Sequence, residues 1–261
     1  MEYHHTPFAL VVGDLLFLPS PSSRNVASYR ALFSKLHADI DFCQTAFGDH
    51  FPPRTWTDDE VKEIGDRDTK LRWQVRGMGD FALADIPSVY KFLVDDLRPG
   101  WRKLSENEVV DTCVVEGEEL AKLEAMDEGK FLENLRWLGY VCVRDATTCT
   151  GEPMKGDNLP PWQEMIELRY GLSAESRGRG VVTRGMTAVM YWAVKERGAR
   201  RFIAESMKHN EKSGNVLRRL GLTVSDTKYW EYDELEWQSP VFENGEELRN
   251  HIGRYLSSTK S

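Results

Sequence analysis

Only four cysteines, Cys43, Cys113, Cys142 and Cys149, occur in 261 residues, and none forms a Cys-x-x-Cys pair or has a histidine at ligand spacing. A disulfide framework and a zinc site are therefore not expected, no metal is called for, and reduced thiols are the expected state. Basic residues are also short, 34 Lys and Arg against 42 Asp and Glu, for a net charge of −8. A general nucleic-acid binder would show a basic surplus, so nucleic acid is not an expected partner. The acid serves solubility, and it would also suit a cationic amine. No apolar run is long enough to span a bilayer. The opening Met1-Glu2-Tyr3-His4-His5 lacks the charged-then-apolar plan of a signal peptide, so no membrane partner and a cytoplasmic location are expected. Repeats and low-complexity tracts are absent too.

What is present reads as one domain over 1–261, of α/β class, with 41% hydrophobic and 29% charged residues. Phe8 to Leu18 reads as a strand, or as two meeting at Gly13-Asp14. Ser23 or Asn25 is placed to cap a helix from Val26 to Ala46, which carries Val26, Tyr29, Leu32, Phe33, Leu36 and Ile40 at helical spacing. A second helix is expected after Thr57, with Asp58-Asp59-Glu60 in its first turn. Gly77 to Ala84 looks like a strand. Tyr90 to Leu97 and Glu118 to Met126 have helical periodicity, and the region 85–133 reads as an insertion folded against the rest. Trp137 to Arg144 is apolar enough for a central strand, with Cys142 as core. Asp145 to Pro161 is loop. Arg201 to Met207 is a strand, Lys212 to Leu220 a helix ended by Gly221, and Gly245 to Leu256 a terminal helix. Lys228 to Leu235 and Glu236 to Val241 are expected as closing strands.

The stretch around which the rest is organised runs from Glu167 to Leu222. Glu167-Leu168-Arg169-Tyr170-Gly171-Leu172-Ser173 has strand alternation. It hands through Ala174-Glu175-Ser176-Arg177-Gly178-Arg179-Gly180 directly into a helix, Val181 to Arg197. A strand, a Gly-rich turn with arginines and a helix start form a device for holding phosphate. Glycine lets the backbone come close, and the uncovered N–H groups of Val181, Val182 and Thr183 carry the positive end of the helix dipole.

This passage resembles the acyl-CoA site of the GNAT superfamily of N-acyltransferases. The family's Gln/Arg-x-x-Gly-x-Gly/Ala motif maps onto Glu175 through Gly180, with Glu175 departing from it. Asn210-Glu211-Lys212-Ser213 resembles its Asn-x-x-Ser, and Val216 to Leu222 its helix ending. The likeness is nearest to the branch that acetylates N-terminal amines of ribosomal proteins and small amines. It implies a twisted mixed sheet of about seven strands flanked by helices on both faces. It also implies acetyl-CoA as acyl donor and an acceptor that is a small amine, an amino acid or a peptide N-terminus. Oligomeric state stays open between monomer and homodimer.

The resemblance distributes roles along the chain. Arg177, Gly178, Arg179, Gly180, Val181, Val182 and Thr183 would hold the pyrophosphate, while Tyr170, Gly171 and Leu172 would line the pantetheine. Asn210 would bond the pantetheine, and Ser213 would cap the final helix near the sulfur. Glu167 is the first choice for the general base and Glu205 the second. Leu217 stands where that branch has a tyrosine acid, leaving Ser213 or Tyr229 for the role. Each also has a plain reading: Glu167 as an ion-paired strand residue, Glu205 as a structural pair, Tyr170 as packing, Asn210 or Ser213 as a helix cap. Trp73, Trp162 or Trp230 could line an acceptor pocket. The alternative to an enzyme is a non-catalytic acyl-CoA-binding module on the same fold.

Overall fold

A computed structural model describes residues 6–48, 50–104, 111–146, 154, 158–230 and 234–257. In chain order its main elements are strands β1 (Phe8–Val12) and β2 (Leu15–Pro19), helices α1 (Ala27–Ala38), α2 (Ile40–Phe47) and α3 (Asp58–Asp68), and strand β3 (Gly79–Asp85). Then come α4 (Ser88–Leu97), β4 (Arg102–Lys103), β5 (Thr112–Glu116), α5 (Gly117–Gly129), β6 (Arg136–Asp145) and β7 (Ile166–Leu172). The chain continues through α6 (Val181–Arg197), β8 (Phe202–Ser206), α7 (Glu211–Arg219), β9 (Thr223–Ser225), β10 (Leu235–Gln238) and α8 (Gly245–Ser257).

All ten strands join one sheet in the order β4-β5-β1-β2-β3-β6-β7-β8-β10-β9, three more than the seven expected. Every described pairing is antiparallel except β7 with β8. Each face buries its own core. One holds Phe8, Phe17, Trp73, Phe81 and Trp192 with α6 and α8, and the other holds Leu16, Tyr29, Leu120 and Phe131 under α1, α4 and α5. Region 85–133 supplies α4, β4, β5 and α5. Its β5 pairs with β1, which extends the common sheet.

Several expectations are corrected by contacts distant in sequence. The helix from Val26 breaks at Asp39, whose carboxylate accepts from the Phe42 N–H at 2.9 Å and starts α2 afresh. Neither Ser23 nor Asn25 caps α1. The Glu133 carboxylate accepts from the N–H groups of Ala27 and Ser28, both at 2.8 Å. α3 starts after Thr57 with its acidic first turn, as expected, and Thr57 and Glu60 form a reciprocal capping box there. Of the two closing strands, the second is found at Leu235–Gln238, overlapping the expected Glu236 to Val241, while the other lies earlier than expected, at Thr223–Ser225, where it pairs with β10; residues 231–233 of the expected first strand lie outside the described residues. Cys43, Cys113 and Cys142 are buried free thiols, whereas Cys149 and most of the loop expected at 145–161 are outside the described residues.

Gly139 of β6 sits against β7 with no room to spare. A Cβ there would lie 1.9 Å from the Gly171 carbonyl oxygen. Backbone cannot give way as a side-chain tip can, so Gly139→Ala is expected to cost more than about 3 kcal/mol of stability. A urea midpoint left in place would show that the two strands do not approach so closely.

Candidate active site

Strands β7 and β8 run parallel but pair only at Ile166↔Phe202 and Glu167↔Ile203. Beyond that point β7 stays with β6 while β8 leans away. A cleft of about 1460 Å³ opens there, larger than the roughly 300–1,000 Å³ of most small-molecule sites. Leu168 to Leu172 line one side, and Ala204, Glu205 and Ser206 the other.

At one end of the cleft stands the start of α6. Gly178 and Gly180 have φ of 76° and 70°, left-handed values that suit glycine. A Cβ at either would meet nothing within 4 Å, so the space before them is open. No side chain caps the helix, and the first intrahelical bond, Arg184 N–H to the Gly180 carbonyl at 3.0 Å, leaves the preceding N–H groups outward. Seventeen aligned residues add their dipole. Arg177 lines the same space, its Nε donating to the Leu172 carbonyl at 3.2 Å. An anion is the complement of this end.

At the parting of the strands lies Glu167, 1% exposed. Arg144 of β6 donates to its Oε2 from Nε at 3.0 Å, and Arg169 donates to Oε1. Burial alone would raise the carboxyl, but the Arg169 and Arg144 guanidiniums hold it below the usual value. Glu205 lies farther out on β8, half-buried and hydrogen-bonded to Glu234. Burial and the neighbouring Glu234 push it up to about 7, against the pull of Arg169. Glu234 is raised as well, by burial, with His50 opposing at 4.0 Å. Tyr170 reaches across to α7, its hydroxyl 2.7 Å from Ser213 Oγ.

Residues 118–223 match the family model of the acetyltransferase (GNAT) domain. Over that stretch, from α5 to β9, the chain is similar to a GNAT acetyltransferase domain. No curated protein matches it. An acetyltransferase structure from Agrobacterium tumefaciens is 14% identical, aligning over 90% of this chain and 95% of that one with a TM-score of 0.53. RimL, the ribosomal L7/L12 alpha-N-protein acetyltransferase in complex with coenzyme A, is 13% identical over 89% and 97%, TM-score 0.51. Mycobacterium smegmatis RimJ in complex with CoA-disulfide is 12% identical over 97% and 93%, TM-score 0.50. These likenesses show the fold.

The residues singled out in the sequence do not all meet. Tyr170, Leu172, Arg177, Gly178, Gly180, Val181, Val182, Thr183, Glu205, Asn210 and Ser213 line the one cleft. Arg179 turns away to Asp85, 3.4 Å off, and Glu175 is exposed outside the lining. Glu167 reaches the cleft floor, yet a carboxylate held ionised by two arginines is a poor proton acceptor. Tyr229 is not in the lining; its N–H donates to Glu236 at 3.0 Å. Asn210 is the cap of α7, with Oδ1 accepting from the Ser213 N–H at 3.0 Å and Nδ2 donating to the Thr45 carbonyl at 2.9 Å. Ser213, expected as the cap, is left free to meet Tyr170. Leu217 is fully buried. Among the tryptophans, Trp73 is core and Trp162 packs under Arg76, so Trp230 alone of the three lines the cleft.

Two parts of the site escaped the sequence. Glu234 gave no signal. Of the rings of Phe33, His37, Phe42 and Phe47, the helical spacing singles out Phe33 as part of an apolar stripe and says nothing of His37 or Phe42. Among the described residues no group of three or more His, Cys, Asp or Glu is placed to hold a metal, and no helix is long and apolar enough to cross a membrane.

The two glutamates separate by their effect on stability. Glu167→Gln leaves Arg144 buried without its carboxylate and is expected to cost about 3–5 kcal/mol in denaturant unfolding; a change under about 1 kcal/mol would remove the ion trio from its structural role. Glu205 behaves oppositely. Its folded value of about 7 lies above the ordinary 4.5, so the folded state binds the extra proton. Its contribution to stability is full below pH 4.5 and is lost as pH rises through about 7. Glu205→Gln should therefore flatten the fall in Tm between pH 5 and pH 8, and a slope equal to wild type would contradict the raised value.

Proposed function

We propose that the chain transfers an acetyl group from acetyl-CoA directly to a primary amine, with Glu205 as general base. The observation that carries this reading is a half-buried carboxylate facing a gap between parted strands that ends at an open helix N-terminus. Acetyl-CoA suits that gap. The N–H groups from Gly178 to Thr183, with Arg177, would take its diphosphate, and the unpaired edge of β7 from Arg169 to Leu172 would take the pantetheine amides as an added strand. Coenzyme A bound to RimL and RimJ, which share the fold, supports the choice of donor.

The bound donor would supply the thioester carbonyl. The chain's part is to hold the amine in line, remove its proton and assist the departing sulfur. Glu205, raised to about 7, is ionised in part at neutral pH and binds a proton well enough to draw one from an ammonium group. Glu234 keeps it there by sharing the hydrogen bond. The Tyr170 and Ser213 hydroxyls, 2.7 Å apart, offer a donor to the sulfur. Burial raises the Tyr170 phenol far above a thiol, so its part is a hydrogen bond rather than proton loss.

Free thiol release from acetyl-CoA in the presence of amines tests the proposal. Wild type should show kcat/KM rising with pH through about 7, as Glu205 ionises. Glu205→Gln should lose about 10²–10⁴-fold in kcat and lose that limb of the profile, with coenzyme A affinity by calorimetry little changed. Coenzyme A binding with no thiol above background for any amine would favour a non-catalytic acyl-CoA-binding module. A Glu205→Gln profile identical to wild type would take the base role from Glu205.

A further inference from the structure

The donor accounts for only one side of the cleft. Across Gly171 the other side is built of aromatic rings from α1, α2, the turn that follows and Tyr140 of β6. His37 stacks on Phe33 with centroids 4.2 Å apart, and lies near-parallel to Phe47 at 6.1 Å and to Tyr140 at 6.3 Å. Phe42 stands edge-on to Phe47 at 5.9 Å. All five line the cleft. The wall is flush with β7, since a Cβ on Gly171 would fall 2.7 Å from the Phe42 ring and 2.8 Å from the Tyr140 ring. It continues outward to Phe51, edge-on to Phe47 at 5.5 Å and still 49% exposed.

The wall is also uncharged. His37 Nδ1–H donates to the Phe33 carbonyl at 2.9 Å, and burial pushes the ring's pKa down, so the imidazole stays neutral among its neighbours. Carboxylates stand nearby in the same cleft, Asp80 acting on His37 and Glu205 beside Glu234, while Arg144 and Arg169 donate to Glu167. A ligand matching both features has a flat apolar body and a cationic head. Building on the acetyl-transfer reading, we propose that the acceptor is a primary amine borne on an aromatic skeleton, its ring against the Phe33–His37–Phe47 wall and its amine at Glu205. Large apolar surface left exposed on Phe51 at the cleft mouth is surface that such a ring would cover.

An arylalkylamine and a peptide beginning with an aromatic residue share this chemistry, so the test carries both. Thiol release from acetyl-CoA is measured on the full chain with phenethylamine, tryptamine, Phe-Gly, Ala-Gly, spermidine and ethylamine. One or both aromatic arms should exceed the matching non-aromatic amines in kcat/KM by about 10–200-fold. Phenethylamine well ahead of Phe-Gly identifies a free amine, and the reverse a peptide. Phe47→Ala should cut the ratio of phenethylamine to ethylamine at least 5-fold through KM. Phe51→Ala, at an exposed position that leaves the core intact, should cut it in the same direction if Phe47→Ala fails to fold. Turnover with equal kcat/KM for all amines, or with spermidine ahead, overturns the aromatic acceptor while acetyl transfer stands. Thiol release from no amine at all overturns the transfer reading and this one with it. An unchanged ratio in both variants removes the wall from acceptor binding.

Discussion

The ion trio of Glu167, Arg144 and Arg169 is the constraint on which the cleft depends. Glu167 is the last residue of β7 that pairs with β8, and its carboxylate is almost wholly buried. A carboxylate so placed is tolerable only with both oxygens engaged, and an arginine meets each one. The arrangement clamps β6 to β7 at the point where β8 departs. Past it the β7 backbone has N–H and C=O groups on one edge with no strand to receive them. Backbone polar groups out of water need partners, so the parted strands are stable chiefly as a place for something else to bond. The cleft is thus a consequence of where the sheet's pairing is made to stop.

The same clamp separates the two glutamates electrostatically. Arg169 leans toward both, but its hydrogen bond goes to Glu167, and only a longer-range attraction is left for Glu205. Glu205 has instead a second carboxylate, Glu234, for its near neighbour. One carboxyl is thereby held ionised and the other is brought to the range where protons are exchanged at neutral pH. Two residues of one type, 38 positions apart by their numbers, are shifted in opposite directions by environment alone.

What could be read from the sequence follows the range of the interaction responsible. Strand β7, the glycine turn and α6 form one unbroken local device, with glycines where left-handed backbone is needed, and it was legible in full. So was the start of α3 after Thr57, whose capping partner Glu60 is three residues away. Glu133 capping α1 from more than 100 residues away left no local trace. The helix break at Asp39 was hidden because apolar spacing ran on through it, although an Asp followed by a new helical run is itself a cap signal. The family resemblance favours Glu167 over Glu205 because it places a carboxylate on the strand before the loop. Only the approach of Arg144 from another strand shows its carboxylate to be held in an ion trio. The aromatic wall was visible as residues but not as a wall, since helical periodicity reports that a face is covered without saying by what.

Asn210 joins these parts. Sequence resemblance implied a ligand contact, yet both ends of its side chain are engaged within the protein, Oδ1 on the first turn of α7 and Nδ2 on the Thr45 carbonyl of α2. It ties the helix that carries Ser213 to the helix that carries Phe42 and Phe47. Ser213 in turn meets Tyr170 of β7. One side chain therefore sets the spacing between the aromatic wall, the hydroxyl pair and the free strand edge. A direct transfer between two bound molecules requires their reacting atoms within about 3–3.5 Å, and a small misplacement is costly in rate. The part that Asn210 plays is to hold the two halves of the cleft at a fixed separation, which a residue bonded to only one of them could not do.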